Sequence, residues 1–87
     1  MNVDTLDPAD IDALVKRLRR VEGQIRGLQR SLGAGGDCAE ILRQFTAARN
    51  ALRAAGSLLA VTAFEACVAD GSEHDTAALR RALLTMA

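Results

Sequence analysis

Eighty-seven residues suffice for one domain but give it only a modest core, so a chain this short calls for added stability, which oligomerisation can supply. Its apolar half is rich in Ala and Leu and holds only two aromatic residues, Phe45 and Phe64, a composition suited to helices rather than sheets. The formal net charge of zero excludes a uniformly charged surface yet hides a basic segment. From Lys16 to Arg30 there are six basic residues (Lys16, Arg17, Arg19, Arg20, Arg26, Arg30) against Glu22 alone, while the rest of the chain carries five basic and ten acidic residues.

The start, Met1-Asn2-Val3-Asp4, lacks the charged opening and apolar run of a signal peptide. No apolar stretch reads as approaching the roughly 20 residues that span a bilayer. A cytoplasmic protein with no membrane partner is therefore expected. Two cysteines in that compartment point to metal binding or redox chemistry more than to a structural bridge.

Three helices follow in chain order, at about 8–32, 37–70 and 72–85. Asp7 can cap the first, and Pro8 suits its first helical position. Leu14, Leu18, Val21, Ile25, Leu28 and Leu32 alternate steps of four and three, a coiled-coil-like seam. Gly33, Gly35 and Gly36 end it. Asp37 and Glu40 have the spacing of a capping box for the second helix. Its seam runs through Ile41, Leu42, Phe45, Ala48, Leu52, Ala55, Leu59 and Thr62 to Ala66, and Gly71 is its stop signal. Gly56 inside it is either a tolerated defect costing about 1 kcal/mol or a point of close helix approach. The third helix carries Leu79, Leu83 and Met86 on one side.

The expected fold is all-α. A three-helix protomer pairs its long helix antiparallel with that of a second copy, giving a four-helix bundle across a homodimer.

Cys38 and Cys67 stand near the two ends of the long helix, 29 residues apart, which is very nearly eight turns. Both then lie on one face, in line with the seam, and about 43 Å apart at 1.5 Å per residue. No disulfide spans that distance within one chain. In an antiparallel dimer each Cys38 comes opposite Cys67 of the other copy, which makes two equivalent intersubunit sites. Both thiols can also be plain buried hydrophobes. The helix start favours a thiolate at Cys38, while Asp37 and Glu40 oppose it. An attacking Cys38 and a resolving Cys67 follow as a division of labour. Two soft thiolates also suit linear Cu(I). Ala63, one turn before Cys67, offers no ligand, and His74 reads as a solvent-facing residue at the start of the third helix, so four-ligand zinc is disfavoured.

The run Arg17-Leu18-Arg19-Arg20-Val21-Glu22-Gly23-Gln24-Ile25-Arg26-Gly27 resembles the RLRRVEGQxRG signature of the CsoR/RcnR-type transcriptional repressors. A cysteine after the first loop and a second near the end of an Ala- and Leu-rich long helix extend the likeness from about Leu14 to Met86. The resemblance implies a disc-shaped homotetramer of antiparallel dimers that binds double-stranded operator DNA without a helix-turn-helix. It also implies a sensor joining Cys38 to a histidine and a cysteine of another chain. In copper sensors those two fall at Ala63 and Cys67, so the histidine is missing here. The outer tyrosine and glutamate of copper sensors fall at Asp37 and Leu83 and are missing too. Nickel and cobalt sensors need further histidines, and formaldehyde sensors do not need the second thiol. Two cysteines without the histidine are similar to the persulfide-sensing CstR-like branch, which links its thiols across the dimer and controls sulfide-detoxification genes. The expectation is therefore a repressor with a small sulfur-containing inducer, no cofactor, and sensing thiols Cys38 and Cys67. Cu(I) on the same two thiolates is the alternative.

Phosphate contacts are expected from Lys16, Arg17, Arg20, Arg49 and Arg53, with Arg17 and Arg53 foremost by resemblance; a solvated outer face is the plainer reading of such charge. The scarcity of aromatics argues against single-strand stacking. A thiol enzyme is the competing class, but no Cys-x-x-Cys motif and no general base near either thiol supports it.

Overall fold

The computed structural model describes residues 1–86; Ala87, the last residue of the expected domain, lies outside them. A short 3₁₀ turn, Val3–Thr5, precedes three helices: α1 (Pro8–Gly33), α2 (Cys38–Asp70) and α3 (Glu73–Met86). The Asp7 carboxylate accepts from Ala9 N at 2.9 Å, with Pro8 in the first turn. Asp37 does the same for α2, accepting from Glu40 N at 3.0 Å. The capping box is only half formed, however. The Glu40 carboxylate turns away to Arg43, at 2.8 and 3.0 Å, and leaves the N–H of Asp37 alone. An arginine one turn along offers a charged partner where the box offers a neutral one.

Helix α2 ends on Gly71, whose φ of 70° lies in the left-handed region, and its N–H donates to Cys67 O at 2.8 Å. Ser72 N donates to the same carbonyl at 3.2 Å, and α3 then folds back against α2. At Gly56 a Cβ would stand 2.5 Å from Met86 Sδ, so the close-approach reading of this glycine holds, and the neighbour is the end of α3.

The helices lie in one layer. The chain measures 53 × 25 × 13 Å, and its least dimension is close to the about 10–12 Å diameter of a single helix. Its radius of gyration is 16.4 Å, where a compact chain of this length would have about 12 Å.

The predicted seam splits accordingly into two rows. Leu28 of α1 meets Ile41 and Ala48 of α2 and all three are buried; Val21 is buried in the same row of α1, with Leu14 half-buried in line. The other row stays open: Leu18, Ile25 and Leu32 on α1, and Leu42, Phe45 and Leu52 on α2. Together with Val21, Leu28 and Ala48, most of these line an almost wholly apolar groove between the two helices.

By length and composition alone, α2 is long and apolar enough to cross a membrane. This corrects the expectation that no stretch comes near that limit. Arg53 and Glu65 are its only charges between Asn50 and Ala69, and the alanines among its spacers raise its apolarity.

Because Gly71 sits in the left-handed region, Gly71→Ala should cost about 1 kcal/mol. At fixed protomer concentration this lowers the melting temperature by about 4–8 °C, measured by circular dichroism.

Candidate sensor thiols and basic surface

The two thiols have unlike surroundings. Cys38 opens α2 and is exposed, while Cys67, one turn from the far end, is 1 % exposed. They share a helix face, but only Cys67 is covered. The cover comes from a segment with no role expected from its sequence. The chain ahead of α1 runs back over the α2–α3 junction, with Leu6 buried and the Cys67 thiol donating to Met1 Sδ at 3.5 Å. The Met1 side chain is 10 % exposed although the residue as a whole is 43 % exposed, so what remains open is main chain.

The Met1 amine pairs with Asp75 at 3.2 Å and fixes this segment to the first turn of α3. That amine is the leading reason the Asp75 carboxyl titrates below the ordinary carboxylate range, and a hydrogen bond from Ser72 adds to it. The only sequence signal for this clamp is the apolar residue set Met1, Val3 and Leu6 ahead of a capped helix. On its other side Cys67 borders an open cavity of about 500 Å³, also lined by Ser72, Glu73, Thr76 and Arg80.

Among the described residues no three His, Cys, Asp or Glu side chains gather as a metal site. Ala63 is buried one turn before Cys67 and brings no donor, and His74 is exposed. At 1.5 Å per residue the two thiols stand about 43 Å apart along α2, so no ligand joins them within one chain. Two thiolates suit Cu(I), and by themselves fit neither four-ligand zinc nor a histidine-rich nickel or cobalt site.

All five candidate phosphate-binding residues are exposed. Lys16 is held by Asp12 at 3.0 Å, one turn before it, which weakens its claim. Arg17, Arg20, Arg49 and Arg53 have no ion-pair partner among the described residues. Arg49 and Arg53 share a groove with Leu52 and Met86, and Arg49 also edges the apolar groove. Ser31 Oγ donates to Gln44 at 3.3 Å, and Val21 and Leu52 line the same groove, so α1 and α2 run antiparallel. That register brings Arg20 about level with Arg53 across the hairpin.

The family model for a metal-sensitive transcriptional repressor matches residues 10–87. The copper-sensing transcriptional repressor RicR of Mycobacterium tuberculosis is 48 % identical over 42 residues, which are 48 % of this chain and 44 % of that protein. An uncharacterized protein in the bioA 5' region of Serratia marcescens is 42 % identical over 43 residues, 49 % of this chain and 47 % of that one. The matched segments thus span about half the length of these curated relatives. No solved structure matches the chain significantly.

Alkylation near neutral pH should modify Cys38 first and Cys67 slowly, read by peptide mass spectrometry. Asp75→Asn should speed modification of Cys67 by loosening the clamp. Because the folded Asp75 carboxyl titrates low, its pairing stabilises the fold in full above the ordinary carboxylate range. This contribution is lost as pH falls through the lowered value, so melting temperatures of the parent and Asp75→Asn chains should converge in acid.

Proposed function

The chain belongs to the family of metal-sensitive transcriptional repressors, and on that premise we propose that it binds operator DNA as a homo-oligomer and releases it on taking up Cu(I). Each metal site joins Cys38 of one copy to Cys67 of a second. The observation that carries this reading is the placing of two thiols at opposite ends of one rigid helix, with no three His, Cys, Asp or Glu side chains gathered at either among the described residues. Only a second copy, running antiparallel, brings such thiols together. The likeness to a copper-sensing repressor favours copper over the sulfur inducer expected from the sequence.

The open apolar row supports the pairing. Ile25, Leu32, Phe45 and Leu52 expose large side chains beside a groove with almost no polar lining, a surface suited to a second helical layer. Residues 1–87 act as one unit in this reading, and two such pairs make the tetramer.

DNA binding falls to the unpaired guanidiniums. Arg17, Arg20 and Arg53 are free to meet phosphates, with Arg49 beside them, and Lys16 contributes less because Asp12 holds it. Copper drawn between two ends of a dimer would shift one long helix against the other and so move these cations out of register with the duplex. The repressor acts in the cytoplasm.

A second reading keeps persulfide as inducer, and the missing histidine at Ala63 favours it. A donor persulfide would pass its outer sulfur to the Cys38 thiolate and depart as a thiolate. Cys67 of the other copy would then displace hydrosulfide from Cys38 and close a disulfide. That second step requires Cys67 to leave its cover.

Cu(I) titration against a chelating competitor, with fluorescence anisotropy of operator DNA alongside, separates the two. Tight stoichiometric binding that releases DNA, abolished in Cys38→Ala and in Cys67→Ala, supports copper. A dimer crosslinked through Cys38 and Cys67, either as the plain disulfide or with further whole sulfur masses in a polysulfide link, formed on sulfane-sulfur treatment and accompanied by DNA release, supports persulfide instead. Arg53→Ala should weaken DNA binding and flatten its logarithmic salt dependence by about 0.9 for each phosphate that Arg53 neutralises. Leu52→Glu should shift the oligomer toward monomer in analytical ultracentrifugation.

A further inference from the structure

We propose that Met1 supplies the third sulfur ligand of the copper site, its thioether standing in for the nitrogen ligand that Ala63 does not provide. The proposal rests on the Cu(I) reading above and concerns how that site is completed. Its basis is the juxtaposition at the closed end of α2, where Met1 Sδ lies 3.5 Å from the Cys67 thiol. Metal–sulfur bonds of about 2.3 Å, the zinc–thiolate length, set 120° apart, hold two sulfurs about 4 Å from each other. The pair therefore already has nearly the bite of a trigonal site.

The thioether is placed by the fold. Its side chain is 10 % exposed. The residue packs on α3 beside Asp75, Ala78 and Leu79, and its amine is tied to Asp75 at 3.2 Å. A third donor matters because two thiolates alone give a linear site, while thiolate and thioether sulfurs together select Cu(I) from harder ions. Met1 would also keep water from one side of the metal. Near Cys67, Ala63 has no donor atom, His74 faces solvent, and Glu73 offers a hard carboxylate that Cu(I) does not favour.

The chain has two methionines, so Met86→Leu leaves Met1 as the only one. That variant, selenomethionine-labelled and loaded with Cu(I), should show a selenium–copper scattering path at the selenium edge. Replacing the same Met1 with norleucine should lower Cu(I) affinity at least about tenfold, with helicity by circular dichroism unchanged. A copper edge showing two sulfurs, with no selenium–copper path, overturns the Met1 assignment and leaves the two-thiol copper site standing. So does full affinity in the norleucine protein. Absence of Met1 from the mature chain by intact mass also overturns it. A protein that binds no Cu(I) at all overturns both this assignment and the reading beneath it.

Discussion

The architecture depends on one constraint: three helices lie in a layer only one helix thick. A layer has two broad faces and cannot enclose a core, so each helix buries only the apolar row that meets its neighbour. On α1 and α2 that row is Val21, Leu28, Ile41 and Ala48, and the alternate row of Ile25, Leu32, Phe45 and Leu52 remains at the surface. The buried residues include Ala48, Ala55, Ala63 and Cys67, all small. They allow close helix packing but remove little apolar area from water. A single layer thus leaves the open row uncovered, and that row is the surface on which the proposed second copy would sit.

The same flatness accounts for the unequal thiols. At the Cys38 end none of the described residues covers the thiol, which is exposed. At the Cys67 end α3 folds back and the N-terminal turn closes over the junction, anchored by one ion pair and one sulfur contact. Burial here is local and reversible in kind, since it depends on a short segment at an element's edge rather than on the helix packing itself.

Much of this was legible in the sequence, for identifiable reasons. Asp7, Pro8, Asp37 and Gly71 act through the backbone beside them, so their meaning is local and survived folding. The alternation of fours and threes on α1 was equally plain, yet it did not say which of its two rows a single chain would bury. Gly56 carried two readings, because its neighbour Met86 lies thirty residues on and is brought to it only by the turn at Gly71. The Glu40–Arg43 pair displaced half of an expected capping box, a choice between two nearby partners that spacing alone does not decide. Least legible was the clamp on Cys67. Met1 and Asp75 are almost the whole chain apart, and their meeting depends on all three helices being in place.

The placing of one cysteine at each end of a stiff helix has a genetic corollary. In an antiparallel pair every site draws one thiol from each chain, so each chain belongs to two sites and owns neither. A cell making both a Cys38→Ala chain and a Cys67→Ala chain would form some mixed pairs. In such a pair one site lacks both thiols and the other keeps both. Two alleles that are each inert alone would thus restore one working site in every mixed pair, a pattern of intragenic complementation that sites contained within one chain do not produce.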